Sequence, residues 1–141
     1  RYLIMANFIY KKAKEALLNG DIAVDTNDLK ILFINTATYT ANQNTDEFVS
    51  NISSSAIKQR SSVLTNKTTT NGILDADDIS TSAYSGSSFD AIVLYQVGSS
   101  DSNSRLIFYI DTSDGLPFDG SNSPLAVTIN WSNDSNKILS I

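Results

Sequence analysis

Two apolar segments joined by a short polar connection constrain the fold of this chain more than any other stretch. Residues 89–97 (FDAIVLYQV) and 104–111 (SRLIFYID) are rich in β-branched and aromatic side chains, and the connection at residues 98–103 is polar and begins with glycine. This pattern is typical of a β-hairpin. In the first arm Val93 alternates with Ile92, so that both pleat faces are apolar. We therefore predict a hairpin at the centre of a sheet, covered on both faces.

Periodicity predicts one helix near the start of the chain, over residues 8–19. Ile9, Ala13 and Ala16 recur there at helical spacing. Gly20 follows at the position where a helix commonly ends in a residue with a left-handed backbone conformation. We expect this helix to close an open end or face of the sheet rather than to grip a partner. A further helical turn, which Thr45 would cap, is expected within TDEFVSNI.

The remaining patterned segments predict strands. Residues 29–35 are apolar on both faces, residues 125–131 alternate between apolar and polar, and residues 137–141 form a short closing strand. Asn71-Gly72 suits a two-residue turn and predicts that the segments on either side of it form a second hairpin. The outer face of this hairpin is expected to be exposed to solvent. A polar connection at residues 112–124 is expected to be a long surface loop.

These elements predict a mainly β fold, either a β-sandwich or a barrel-like variant of about seven strands with one short N-terminal helix. The chain has 141 residues, enough for one compact domain and too few for two ordinary ones. We therefore expect a single β-sandwich domain over residues 1–141, with an N-terminal extension and helix over about residues 1–20.

Composition argues against several classes of function. The net charge of -5 disfavours a phosphate-binding surface, and no apolar run approaches the roughly 20 residues that cross a bilayer. We therefore predict neither nucleic acid nor membrane as a partner. The chain has no cysteine and no histidine, which removes the thiol nucleophile, the commonest general base and the commonest zinc ligand.

Two groups of acidic residues have no recognisable catalytic or metal-binding spacing. Neither group matches a calcium-binding loop, and aspartate is common where turns begin and end. No Gly-x-Ser-x-Gly sequence is present. We therefore predict no enzyme activity, no catalytic residue, no metal site and no cofactor. The two groups are Asp75, Asp77 and Asp78, and Asp111, Asp114 and Asp119.

Aromatic residues allow two interpretations. An exposed row of rings would suit a sugar-binding face, whereas rings in phase with apolar neighbours belong to the core. Trp131 is in phase with Val127 and Ile129, which favours the core. We extend the same interpretation to Tyr84, Tyr95 and Tyr109.

The N-terminal residues are the predicted contact site for a partner. Met5-Ala6 resembles a translation start, an expectation that leaves Arg1–Ile4 upstream, and the chain does not open with a secretory signal pattern. This segment is more apolar than a free terminus should be. The predicted partner-binding residues are Tyr2, Leu3, Ile4, Phe8 and Ile9.

From Met5 to Ile141, the chain resembles a family of small β-rich virion structural proteins of tailed bacteriophages in the order and residue pattern of several segments. The segments include MANFIYKKAKEALLNGDI, DLKILFINTATYT, FDAIVLYQ, SRLIFYIDTSDGLPF and AVTINWSNDSNKILSI, and they contain no catalytic signature. The resemblance implies a capsid decoration (cement) protein that bridges capsid subunits and stabilises the shell. It implies the major capsid protein or other virion proteins as partners, a homo-oligomer as a further option, and location in the virion after synthesis in the host cytoplasm.

Two alternatives remain open at the level of sequence. One is another position in the particle, in a tail, baseplate or fibre. The other is a module that binds host glycans, which would require an exposed row of aromatic side chains.

Overall fold

The computed structural model describes residues 7–84, 87–121, 125–132 and 137–140. It confirms the predicted fold class: over these residues the protein is mainly β with one α-helix, and its sheet is not closed into a barrel. The elements, in chain order, are β1 (Phe8–Ile9), α1 (Lys11–Asn19), β2 (Leu29–Ile34), a 3₁₀ helix (Val49–Asn51), β3 (Ile57–Arg60), a 3₁₀ turn (Thr70–Gly72), β4 (Ile73–Leu74), β5 (Ile79–Tyr84), β6 (Ala91–Gln96), β7 (Leu106–Ile110), β8 (Leu125–Ile129) and β9 (Leu139–Ser140).

The predicted hairpin forms the middle of a five-stranded antiparallel sheet with the order β1-β7-β6-β2-β3. Val93 in β6 lies opposite Leu32 on one side and Tyr109 on the other. All residues of β6 from Ala91 to Tyr95 are buried. The prediction of a central hairpin covered on both faces is therefore confirmed, and the strand predicted at residues 29–35 is its neighbour β2.

One face of this sheet, the ribbon face, is covered by two short antiparallel ribbons, β5–β8 and β4–β9. The ring of Tyr84 in β5 packs against that of Phe33, with the ring centroids 5.5 Å apart. The β4–β9 ribbon, α1 and Ile9 together line a small apolar cavity of about 60 Å³. Ile9 lies opposite Phe108 where β1 pairs with β7. The ribbon face carries Ile31, Phe33, Ile92, Leu94 and Phe108.

The opposite face, the loop face, lies under the connection between β2 and β3. Tyr39, Val49 and Ile52 in this connection are buried. The guanidinium of Arg60 lies 5.9 Å from the ring centroid of Tyr95 and covers part of the same face. The loop face carries Leu32, Ile34, Val93, Tyr95 and Tyr109. Both faces of β6 are therefore covered, whereas Phe108 and Ile110 of β7 stay half-buried on the ribbon face.

The predicted start of the helix at residue 8 is wrong, because Phe8 and Ile9 are extended and pair with β7. Helix α1 begins at Lys11, after the backbone N–H of Tyr10 donates to the carbonyl of Ile107 at 3.0 Å. Pairing with β7 gives hydrogen-bond partners to backbone N–H groups that would have none in the first turn of a helix. The predicted end is confirmed, since Gly20 caps the helix with φ of 80°.

The second predicted hairpin is wrong in its pairing, although both residues of its predicted turn have a left-handed conformation. Asn71 and Gly72 both have positive φ, 58° and 75°. The flanking segments make one isolated bridge, Thr68 to Asp75, and β4 then pairs with β9 while β5 pairs with β8. Pairing with β9 places Leu74 opposite Leu139, and both are buried. Burial of these two side chains outweighs the local pairing that the turn favours.

Three smaller predictions have mixed outcomes. The helical turn expected in residues 45–52 is the 3₁₀ helix at Val49–Asn51. Its start is capped by the side chain of Asn51 rather than by Thr45. The Asn51 side chain accepts hydrogen bonds from the N–H groups of Glu47 and Phe48, at 3.0 and 2.8 Å. The connection at residues 112–124 is anchored to the body by a bridge between Phe89 and Phe118. The closing strand is β9, and residue 141 of its predicted span lies outside the described residues.

Candidate functional site

A cleft of about 780 Å³ opens on the ribbon face, between β8 and the loop that follows β7. Its floor consists of Ile92, Phe108 and Ile110. The loop at residues 112–116 and the ring of Phe118 form one wall, and the other wall is β8 with the residues that follow it. The volume lies within the range typical of ligand and peptide sites.

The wall on the β8 side is the edge of a strand. Every residue from 126 to 132 lines the cleft, although side chains of a strand alternate in direction. Strand β8 pairs with β5 on one side, and among the described residues no strand pairs with its other side. The unpaired edge therefore faces the cleft and presents backbone N–H and C=O groups to it.

The rim of the cleft is fixed by Asn7. Its side-chain Nδ2 donates to the carbonyl of Thr112 at 3.0 Å, and its Oδ1 accepts from the N–H groups of Asp111 and Thr112, each at 3.1 Å. These hydrogen bonds tie Asn7, the residue before β1, to the start of the loop. Asp114 and Lys137 are the charged side chains of the lining, and the Lys137 ammonium lies 3.9 Å from the Asp75 carboxylate.

Trp131 also lines the cleft, at the end of β8. It is only 9% exposed, and its Nε1–H donates to the carbonyl of Asp77 at 3.1 Å. Its backbone N–H donates to Oδ1 of Asp78 at 2.8 Å. The prediction that Trp131 is a core residue is confirmed, and so is the same prediction for Tyr84, Tyr95 and Tyr109. Their rings do not form an exposed row.

The predicted partner-binding residues fall into two groups. Tyr2, Leu3 and Ile4 lie outside the described residues. Phe8 and Ile9 are half-buried in β1, at the edge of the sheet, and the ring of Phe8 stacks on Tyr109 with centroids 4.9 Å apart. Both side chains therefore contribute to the body of the protein. Their role in partner contact stays a prediction.

A chain of hydrogen bonds on the loop face was not predicted from sequence. The hydroxyl groups of Tyr10 and Tyr39 are 3.0 Å apart, and Tyr39 donates to Oδ2 of Asp46 at 2.7 Å. The N–H of Asn42 donates to the same oxygen at 2.9 Å. Burial raises the pKa of both tyrosines well above the usual range, so the two hydroxyls stay neutral. This chain of hydrogen bonds fastens the β2–β3 connection to Tyr10, which lies between β1 and α1.

Carboxylates elsewhere stabilise turns. Asp77 accepts from the Thr65 hydroxyl at 3.0 Å and from the Asn66 amide at 2.6 Å. The backbone N–H of Ser121 lowers the pKa of the Asp119 carboxyl below its ordinary value. Among the residues that the structure describes, no three acidic, histidine or cysteine side chains are grouped as a metal site. Within the same residues no helix is long and apolar enough to span a membrane.

Comparison with known proteins adds no family. No protein-family model matches the chain, and a search of curated proteins gives no significant match. The function is therefore argued from the cleft, from the strand edges and from the sequence pattern.

Proposed function

We propose that this protein is a non-enzymatic structural component of a tailed-bacteriophage virion, most specifically a capsid decoration protein that stabilises the shell by bridging capsid subunits. The resemblance in segment order supports the virion assignment. The observation that supports a binding role is the cleft, whose lining combines apolar side chains with an unpaired strand edge. Such a surface suits contact with another polypeptide.

A decoration protein needs a rigid body and a contact patch that particle symmetry repeats. The doubly covered sheet supplies the body, because β6 is buried on both faces and the loop face is fastened by the Tyr10–Tyr39–Asp46 chain. Each contact can be weak, because many copies share the load on one particle. We place the contact at the predicted N-terminal residues and at the cleft, whose lining includes Asn7.

Particles that lack this protein are expected to assemble but to rupture at a lower temperature than complete particles. Adding back the purified protein should restore the rupture temperature, and protein without residues 1–6 should restore it poorly. This deletion spares Phe8 and Ile9, which belong to the sheet. Leu18→Ser is the matched control, because Leu18 is an apolar side chain that is 89% exposed on α1. Equal rupture temperatures with and without the protein would refute the decoration role.

The position in the particle can be tested separately. Gold-labelled antibody on intact particles should mark the capsid surface, whereas labelling of the tail or baseplate would favour that alternative. The glycan-binding alternative has less support, because the indole of Trp131 is buried and its N–H is bonded to Asp77. A glycan-array signal that Trp131→Ala abolishes without loss of folding would favour it.

A further inference from the structure

We infer that the cleft binds an extended segment of a partner polypeptide, which adds as a strand to the unpaired edge of β8. The ribbon face is covered by two separate ribbons, and the cleft lies beside β8 over the part of the sheet that β5–β8 leaves open. An added strand would widen this ribbon and cover more of the face. This inference goes beyond the proposed function, because it concerns a class of partner and holds for any particle position.

The geometry of the cleft matches a strand rather than a compact ligand. One wall offers backbone donors and acceptors along residues 126–132, and an incoming strand can pair with them as in an ordinary antiparallel or parallel ladder. The floor lies beneath that edge and is apolar. Alternate side chains of the incoming strand would therefore contact Phe108 and Ile110, which are only half-buried in the protein alone.

The charges near the cleft define the partner further. Asp114 lines the cleft from the loop that forms the far rim, and the chain has a net charge of -5. Lys137, the cation in the lining, lies beside Asp75. Complementarity therefore favours a strand with apolar residues at alternate positions and with lysine or arginine at the end that lies near Asp114.

The experiment uses the full chain and a synthetic probe, a nine-residue peptide of alternating valine and threonine that ends in two lysines. Trp131 is the one tryptophan of the chain and lines the cleft, so its fluorescence reports binding directly. We expect a saturable change in Trp131 emission, together with slower amide exchange in residues 126–130. The same peptide with two prolines in place of central valines should give neither signal, because proline cannot donate to a ladder.

Two variants locate the site. Ile110→Thr on the cleft floor should weaken peptide binding about five- to tenfold, since it removes apolar contact from the added strand. Ile57→Thr is the matched control, because Ile57 is also half-buried but lies on the edge strand β3, where it pairs with Ile34 on the loop face. Melting temperatures of both variants establish that they fold.

Three outcomes would overturn the inference. The first is the absence of a fluorescence change up to millimolar peptide, and the second is equal weakening by both isoleucine variants. The third is binding that appears only after residues 1–6 are removed, because the chain itself would then compete for the cleft. Peptide binding and particle rupture temperature are measured in separate experiments, so the loss of the strand site would leave the decoration role to be tested by the rupture temperature.

Discussion

At the scale of single residues, the pair Arg60–Asp101 shows how side chains join distant parts of the sheet. The guanidinium donates through Nη1 and Nη2 to the two carboxylate oxygens, each at 2.8 Å. Arg60 belongs to the edge strand β3, whereas Asp101 lies in the turn of the central hairpin, two strands away. The hydrogen bonds from Arg60 lower the pKa of the Asp101 carboxyl below its ordinary value.

Asp101→Asn should therefore reduce stability in a pH-dependent way. Because the pKa of Asp101 is lowered in the folded state, its contribution is present above the ordinary carboxylate pKa and is lost as pH falls through the lowered value. The two side chains are 37% and 47% exposed, so we expect a loss of about 0.5 kcal/mol at neutral pH. Urea unfolding at neutral pH and at about pH 2 measures the difference. An equal loss at both pH values would contradict this account.

At the scale of elements, the turn of the central hairpin is closed by its own polar residues. The N–H of Ser100 donates to Oδ1 of Asn103 at 3.0 Å, and the N–H of Asn103 donates to the carbonyl of Ser100 at 3.2 Å. Gly98 lies directly against this loop, since a Cβ added there would stand 2.5 Å from the backbone oxygen of Asn103. The turn is therefore packed too tightly for a side chain at this position.

Gly98→Ala is expected to destabilise the protein by about 2 kcal/mol or more, because the backbone of the turn must shift. Gly20→Ala at the end of α1 provides the comparison. Gly20 has φ of 80° and no neighbour within 4 Å of an added Cβ, so only backbone strain opposes the change, at about 1 kcal/mol. Denaturant unfolding of both variants tests the order. A larger loss for Gly20→Ala would show that the turn tolerates the extra atom.

At the scale of the whole molecule, the buried side chains form one cluster that runs through both faces of the main sheet and both ribbons. It includes Ala16 of α1, Val93 of β6 and Leu139 of β9. Trp131, at the end of the β5–β8 ribbon, belongs to the same cluster. A continuous core of this kind couples the unfolding of the ribbons to that of the sheet.

The expected result is a single cooperative unfolding transition. Emission of Trp131 reports on the β5–β8 ribbon, while far-ultraviolet circular dichroism reports on all strands and α1. Their denaturation curves should coincide, because loss of either ribbon exposes apolar surface of the sheet. Separate midpoints for the two signals would show that the β5–β8 ribbon unfolds independently, and would contradict the single domain predicted from sequence.

The sequence by itself determined the elements whose signal is local. Apolar residues on both pleat faces of β6 and β7 require cover on both sides, and the phase of Trp131 with Val127 requires an inward ring. Gly20 ends α1 because the left-handed conformation costs glycine little. Each of these predictions depends on the backbone conformation of a few adjacent residues, which composition and spacing specify.

The tertiary structure alone decided the rest, because the energies involved come from contacts far apart in sequence. Leu74 is opposite Leu139 rather than within a local hairpin, and the hydroxyl of Tyr39 is hydrogen-bonded to that of Tyr10, 29 residues away. Two-residue strands such as β1 carry too short a pattern to predict their partners. The cleft beside β8 is likewise a product of packing, since a strand edge is unpaired only after the other strands have taken their places.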